Sequence, residues 1–378
     1  MPGTDDIFIT AIEIEKLRHL ANLTIPVSET ERRHLILTGA NGSGKTSLLE
    51  VMHFQLGQIL KNGVNGGSAF RLNGNEVNVI LEMSDSAPVI KNHFRIGQLA
   101  YHFFPADRNA RMNPAEGVKK LEWDRRRFNE AHAVHFLQFV VNLKAERSFA
   151  RDDNDTATVA ALDQWFERFE RLLGDLYADP GLRLEFKRET YDFFIHTRNR
   201  EPFSLRTLSR GYNAILAIVS EIMMRVENPR ALAYETQGIV LIDEIETHLH
   251  IELQKRILPF LTSLFPKIQF IVTTHSPFVL TSIDDAVVFD LERQQRVEDL
   301  WLYSSEALVE DYFQSDKYST LLKARVAEYI ALAEKAGRTP AEEQRWAALK
   351  AMFANVSWNA APELFVKLQE LELDAIAQ

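Results

Sequence analysis

Residues 7 to 26, "IFITAIEIEKLRHLANLTIP", alternate apolar and polar side chains, which predicts two strands meeting at a turn. The run "HLILT" that follows has no alternation. Such a segment is the pattern of a central strand buried on both faces. Behind the next glycine-rich stretch, "SLLEVMHFQL" supplies the apolar side of a helix starting near Lys45. Residues 62 to 76 are rich in Gly and Asn and predict a loop, and residues 77 to 105 read as strands again ("VNVILEM", "LAYHFF"). From about 124 to 178 the period changes. Leu162, Trp165, Phe166, Phe169, Leu172, Leu173 and Leu176 recur at three- and four-residue steps, the mark of an amphipathic helix whose stripe is core. A helix through "AHAVHFLQFVVNLKAE" precedes it, with "RDDNDTAT" as a polar connection. Strands return at "LRLEF" and "YDFFIHT". A helix from about 209, the strand "GIVLID", a helix over 251–264 and the strand "QFIVTT" follow. Strands alternating with helices predict an α/β sheet. "AVVFDLERQQRVEDLWLY" reads as a hairpin, and the rest as helices.

Composition narrows the class. The chain has 378 residues, 46% hydrophobic and 25% charged, too long for one small core. A main domain with an insertion or appended lobe is expected. Acids outnumber bases 53 to 43, a net charge of −10, which opposes bulk attraction to DNA but leaves a local basic patch open. There is no cysteine, so disulfides, thiolate catalysis and cysteine zinc sites are excluded. "MPGTDDIFIT" lacks the basic and apolar segments of a signal peptide, and no apolar run approaches the roughly 20 residues that span a bilayer. A cytoplasmic protein without membrane partners is the expectation.

Four segments carry chemistry. In "TGANGSGKTS", the pattern G-x-x-x-x-G-K-[ST] is met by Gly39, Gly44, Lys45 and Thr46. Ala40, Asn41, Gly42, Ser43 and Ser47 complete a loop whose N–H groups can face phosphate oxygens. Lys45 reaches the β/γ-phosphates, Thr46 can ligate Mg²⁺, and the helix start adds its dipole. The strand in "GIVLIDEIETHLH" ends in Asp243 and Glu244. The first can hold a Mg²⁺ shell and the second can deprotonate a water. The strand in "QFIVTTHSPFVL" delivers His275, which can sense a γ-phosphate or, as a lone residue, be an ordinary edge histidine. In "FSLRTLSRGYNAIL", Ser209 and Gly211 precede a helix, a second N-terminal anion site that is by itself a commonplace cap.

In this order the four segments resemble the ABC-type ATPase family: phosphate loop (Walker A), signature, Asp-Glu strand (Walker B) and switch histidine. "LSRGY" departs from the usual "LSGGQ". "DEIETHLH" and "VTTHSPFVL" resemble the RecF-like, SMC-like and OLD-type branch. "FLQFVVNLKAERSFARDDND" and "SEALVEDYFQSDKYSTLLK" resemble small AAA-type ATPases of bacterial anti-phage defence. The resemblance is strong over residues 7–290 and looser in the tail. It implies an α/β fold, an ABC-ATPase-type nucleotide-binding domain with a mixed sheet, an inserted helical lobe and a helical C-terminal tail. The expected boundaries are 1–123 and 181–300 for the two parts of the ATPase core, 124–180 for the lobe and 301–378 for the tail.

The resemblance also implies ATP and Mg²⁺ as cofactors. Lys45, Glu244 and His275 would be catalytic. Gly39 to Ser47 with Ser209 and Gly211 would bind nucleotide, and Thr46 with Asp243 the metal. Two copies would close head-to-tail on two ATPs, each signature serine acting on the other copy's nucleotide, as a dimer or within a higher oligomer. The partner beyond itself would be a separately encoded effector, such as a nuclease. The alternative is a DNA-clamping ATPase of repair or chromosome maintenance. The family's Q-loop glutamine has two candidates, Gln98 and Gln138. About 160 residues separate phosphate loop from signature without sustained heptads, which sets the chain apart from SMC-type proteins. The tail shows no strand pattern with clustered acids, unlike OLD nucleases. His248 and His250 read as structural, and "DRRRF" at 124–128 as a solvated helix start.

Overall fold

The computed structural model describes residues 6–64, 70–72, 75–108, 112–121, 127, 130–198, 200–226, 236–304, 307–308, 320–335 and 337–353. Of "DRRRF" only Arg127 falls among them. The chain divides into two units at Ser305.

The first unit contains three sheets, two of which share its main core. One is antiparallel: β1 (Ile9–Leu17) and β2 (Leu20–Pro26) form the expected pair, turning at Arg18 with a positive φ of 55°. β1 also pairs with β5 (Asn75–Met83), which pairs with β4 (Phe70–Leu72). The other sheet has six strands. Its order is β13 (Gln295–Val297), β12 (Ala286–Asp290), β3 (His34–Thr38), β11 (Ile268–Thr273), β10 (Gln237–Ile242) and β6 (Leu99–Phe104). All neighbours run parallel except β12 and β13, the expected hairpin. β3 and β11 are buried at every position, which is why their sequences show no alternation.

Helix α1 (Lys45–Asn62) is buried at most positions but exposed at Thr46, Phe54 and Lys61, and Leu48, Leu49, Met52, Leu56 and Ile59 share one core with side chains of both sheets. Truncating a buried leucine such as Leu49 to alanine costs about 2–5 kcal/mol. Gln269 fastens the sheets at the other end, donating to the Ile9 and Arg33 carbonyls and accepting from the Ile9 N–H at 2.7 Å.

Residues 77–105 are not all strand. Helix α2 (Ala87–Arg95) intervenes, with Pro88 in its first turn and Ala87, Ile90 and Phe94 buried. That short three- and four-residue stripe is diluted by polar neighbours and is easily read as loop. Beyond β6 come α3 (Phe136–Asp152) and α4 (Thr156–Tyr177), which pack through Phe136, Phe139, Trp165 and Phe169. The polar connection is shorter than the sequence suggests. α3 continues through Arg151 and Asp152, and Asp155 already caps α4 by accepting the Thr158 N–H at 3.0 Å. A three-stranded antiparallel sheet follows: β7 (Arg183–Lys187), β8 (Asp192–Thr197) and β9 (Arg200–Ser204), the last not foreseen.

Helix α5 (Arg210–Val226) is anchored by a buried ion pair. Glu221 takes Arg225 Nε at 2.8 Å and the His132 and Ala133 N–H groups at 2.6 and 2.7 Å. The carboxylate thus joins α5 to the residues that lead into α3. The unit is completed by α6 (Ile251–Leu264), at the expected bounds, and the short α7 (Pro277–Leu280).

In the second unit, α8 (Thr320–Ala333) and α9 (Pro340–Phe353) enclose Tyr329, Leu349 and Phe353. Among the described residues, no helix is long and apolar enough to cross a membrane.

Candidate functional site

Five parallel strands, β12, β3, β11, β10 and β6, point their carboxyl ends to one edge of the sheet. In open α/β sheets that edge is where ligands are held. The loops leaving it carry residues far apart in sequence: the phosphate loop after β3, Asp243 and Glu244 after β10, His275 after β11, Arg108 after β6 and Glu292 after β12.

The phosphate loop is wound by three glycines at positive φ: Gly39 at 129°, Gly42 at 87° and Gly44 at 101°. Gly39 is the most closely walled of the three, with Gly44 next, its Cβ position 3.2 Å from Leu20 Cδ1. A Cβ at Gly39 would meet Ser43 Oγ at 2.9 Å, the Glu292 N at 3.1 Å and Asp290 Oδ1 at 3.2 Å. Glu292 accepts the Ala40 N–H at 3.0 Å and steadies the loop from β12. Ala40, Asn41 and Gly42 are exposed, whereas Ser43, Lys45 and Ser47 are buried. The Lys45 ammonium donates to the carbonyls of Gly39 at 2.9 Å and Ala40 at 3.0 Å. Burial lowers its pKa, opposed by the carboxylates of Glu246, Asp243, Glu244 and Asp290.

Asp243 is the hub of the next layer. Its Oδ1 accepts the Thr273 hydroxyl at 2.6 Å and the Thr46 hydroxyl at 3.3 Å. The first helical turn of α1 thereby meets β10 and β11. A hydroxyl beside a carboxylate is the hard-oxygen set that Mg²⁺ takes, and with a loop that tolerates no Cβ at Gly39 the residues fit Mg²⁺ with a nucleotide.

Glu244 sits beside the hub in a left-handed conformation, φ 45°. For a residue with a Cβ this costs on the order of 1–2 kcal/mol. The surrounding bonds hold it there. The three N–H groups of Asp243, Glu244 and Ile245 go to the Phe104 carbonyl, Thr273 Oγ1 and the Thr273 carbonyl. The three carbonyls all go to one side chain. Arg108 donates to them at 2.6, 2.9 and 3.0 Å. Burial pushes its pKa down to about 10, so it remains a cation at neutral pH. The Glu244 carboxylate accepts the Thr247 hydroxyl at 3.1 Å.

His275 is half-buried. Its pKa is lowered by burial and then by the Lys45 charge, against the pull of Glu246, Glu244 and Asp243. It is therefore neutral at pH 7. Glu246 fixes its backbone, accepting the His275 N–H at 2.6 Å and the Thr274 hydroxyl at 2.8 Å. Arg108, Thr273 and Glu246 escaped the sequence reading. Each acts on backbone or on another site residue, and none belongs to a spaced pattern.

Ser209 and Gly211 do not join this cluster within the chain. They line a cavity of about 390 Å³ with Tyr177, Tyr212, His248, His250, Glu252 and Arg256, and no phosphate-loop residue is among its walls. Ser209 is exposed, and its carbonyl accepts the Asn213 N–H as α5 begins. The preceding loop is braced by buried Asp192, which accepts from Ser204 Oγ at 2.7 Å and Arg206 Nε at 3.0 Å. Tyr212, where the usual signature has glutamine, stacks on Tyr177 at the end of α4, centroids 3.9 Å apart and planes 8° apart. The departure from the usual motif is thus a contact between α5 and α4.

Neither glutamine considered for the Q-loop stands at the carboxyl end of β6. Gln98 precedes that strand, and Gln138 lies in α3, where it bonds the Glu116 N–H and the Gly117 carbonyl. Arg108 is the side chain that reaches the site from the loop after β6. His248 and His250 are exposed, and no group of three or more metal-binding side chains occurs among the described residues.

Residues 35–281, more than half of the chain, match the family described as "AAA domain, putative AbiEii toxin, Type IV TA system". Among individual relatives, the Septu protein PtuA of Bacillus mycoides (strain KBAB4) is 28% identical over 318 residues, 76% of this chain and 41% of that protein. The "Retron Ec83 probable ATPase" of Escherichia coli is 35% identical over 157 residues, 38% of this chain and 29% of that protein. The chain thus spans less than half the length of these two relatives. Among solved structures, an Smc head bound to the C-winged helix domain of ScpA covers 75% of this chain and 94% of its own, at 14% identity and a TM-score of 0.41. With the family match covering the phosphate loop, the Asp243–Glu244 strand end and His275, the chain belongs to this family of AAA-type ATPase domains.

Proposed function

We propose that the chain is a Mg²⁺-dependent ATPase that closes with a second copy around ATP and so controls a separately encoded effector in a bacterial defence system. One observation carries the closure: phosphate loop, Asp243, Glu244 and His275 share one edge of the sheet, whereas Ser209 and Gly211 are presented elsewhere on an exposed helix start. A second copy provides what each half lacks. The defence role is supported by the resemblance of the α3 region and the tail to defence-associated ATPases. A family description that places a toxin in a toxin–antitoxin system supports a separate partner.

Bound Mg²⁺ and ATP supply a γ-phosphate whose charge is spread over metal and loop. Thr46 and Asp243 would hold the metal, and the glycine-wound N–H groups the phosphates. Lys45 would exchange the Gly39 and Ala40 carbonyls for phosphate oxygens. Glu244 would take the proton of the attacking water, and neutral His275 would orient that water. Replacing Glu244 by glutamine keeps the shape and removes the base, so ATP binds while turnover falls by roughly 10²-fold or more. Sedimentation of Glu244→Gln with and without Mg²⁺-ATP tests closure. The expected result is nucleotide-dependent doubling of mass, or a step to a larger even oligomer. An unchanged mass at saturating ATP overturns the proposal.

A further inference from the structure

The structure assigns Arg108 as a positioning residue for hydrolysis, a side chain that holds the backbone of Asp243, Glu244 and Ile245 so that the Glu244 carboxylate faces the reacting water. The assignment rests on the ATPase reading of the site. Its observations are the three carbonyl contacts, at 2.6, 2.9 and 3.0 Å, and the left-handed φ of Glu244 between them. A non-glycine residue keeps that conformation only where its surroundings over-determine it. Here the N–H groups are tied by β6 and β11, and every carbonyl accepts from one guanidinium, that of Glu244 also from the Thr247 N–H at 2.9 Å. Lysine cannot replace it, because one ammonium on a flexible stem does not span three carbonyls in a fixed fork. Arg108 is itself buried and hydrogen-bonds its targets through backbone alone, so it acts on aim, beside the coulombic pull it shares with the Glu246, Asp243 and Glu244 carboxylates.

In the chain Arg108 stands between β6 and α3, and ahead of α3 the His132 N–H and the Glu130 carbonyl bond Glu221 and Arg225 of α5.

Two measurements on Arg108→Ala and Arg108→Lys test this. Amide hydrogen exchange is expected to quicken at least tenfold for the peptide over 243–247 in Arg108→Ala and about threefold in Arg108→Lys. The peptide over β11 (268–272) should stay within twofold of the parent, which shows that the sheet is intact. Unchanged exchange at 243–247 overturns the assignment. In turnover, Arg108→Ala should lose about 30-fold or more in kcat, with the ATP Kd within threefold. Free guanidinium at millimolar concentration should return at least part of that loss. Combined with Glu244→Gln, Arg108→Ala should add less than twofold, because there is no base left to aim. A full 30-fold loss in that background means that Arg108 acts otherwise and sinks the proposal. If the unsubstituted protein fails to hydrolyse ATP, the ATPase reading falls and the exchange measurement still decides what Arg108 does.

Discussion

Two of the described helix starts, at Lys45 and at Arg210, are suited to an anion and are built by opposite means. The first is wound by glycines at positive φ, with Lys45 and Ser43 buried and a lysine bonded back onto its own loop. Strand β12 presses on it through Asp290 and Glu292. The second has an exposed serine, and Gly211 needs no positive φ. Its lack of a side chain serves closeness, since a Cβ would stand 3.1 Å from the His248 carbonyl. One site is organised around what it holds, the other around how its backbone meets the loop after β10. That difference is what a composite site predicts: a holder complete in one copy, and a cap that finds its ligand only on another.

The sharpest break between the two starts is Lys45→Ala. It removes the charge that would face the β/γ-phosphates, and the expected outcome is ATP binding below calorimetric detection. Unchanged affinity would remove the phosphate loop from the comparison altogether.

Ser209→Arg should act on the other start alone. A bulky side chain on the exposed cap leaves Gly39 to Thr46 untouched, so each copy binds ATP while ATP-dependent association and hydrolysis are lost. Mixing Ser209→Arg with Lys45→Ala gives a mixed dimer with one doubly defective and one intact composite site. Some hydrolysis should return if the sites fire independently. Normal hydrolysis by Ser209→Arg alone would reduce the serine to a helix cap.

How much of this was legible in the sequence follows from what each residue contacts. β3, β10 and β11 announce themselves because a strand covered on both faces is apolar at most positions without alternating, and α1 because its loop needs glycines where φ is positive. Asp243, Glu244 and His275 stood out because each closely follows such a strand, and Lys45 because it completes the glycine pattern behind one. Arg108 did not. Its partners are main-chain carbonyls 135 to 137 positions away, and carbonyls leave no trace in residue type. Nor could "LSRGY" disclose that Tyr212 departs from the usual motif in order to stack on Tyr177. Nor does the sequence show that Gln138 is a buried residue of α3 bonded to the loop at Glu116 and Gly117. α2 was missed because nine residues offer only three buried positions.

The smallest effects separate the two glycines. Gly39→Ala forces a Cβ onto φ 129° and against the Glu292 backbone nitrogen at 3.1 Å, so a stability loss of about 1–3 kcal/mol is expected. ATP affinity should fall with it, because the loop must shift. Gly211→Ala meets the His248 carbonyl at 3.1 Å and Leu253 Cδ1 at 3.4 Å, but lies in the first turn of α5 without positive φ. Alanine gains about 1 kcal/mol of helix propensity there. Set against a contact that must give by a few tenths of an ångström, the net change should stay within about 1 kcal/mol of zero in a denaturant titration. ATP binding to the single copy should not change. Hydrolysis is the informative readout, since a methyl group on the cap approaches the second copy's nucleotide only if the two close. A Gly211→Ala protein with parental stability, parental ATP affinity and turnover reduced severalfold places the effect at the junction of two copies. Parental turnover in the same protein would show that Gly211 serves the contact with His248 and nothing beyond it.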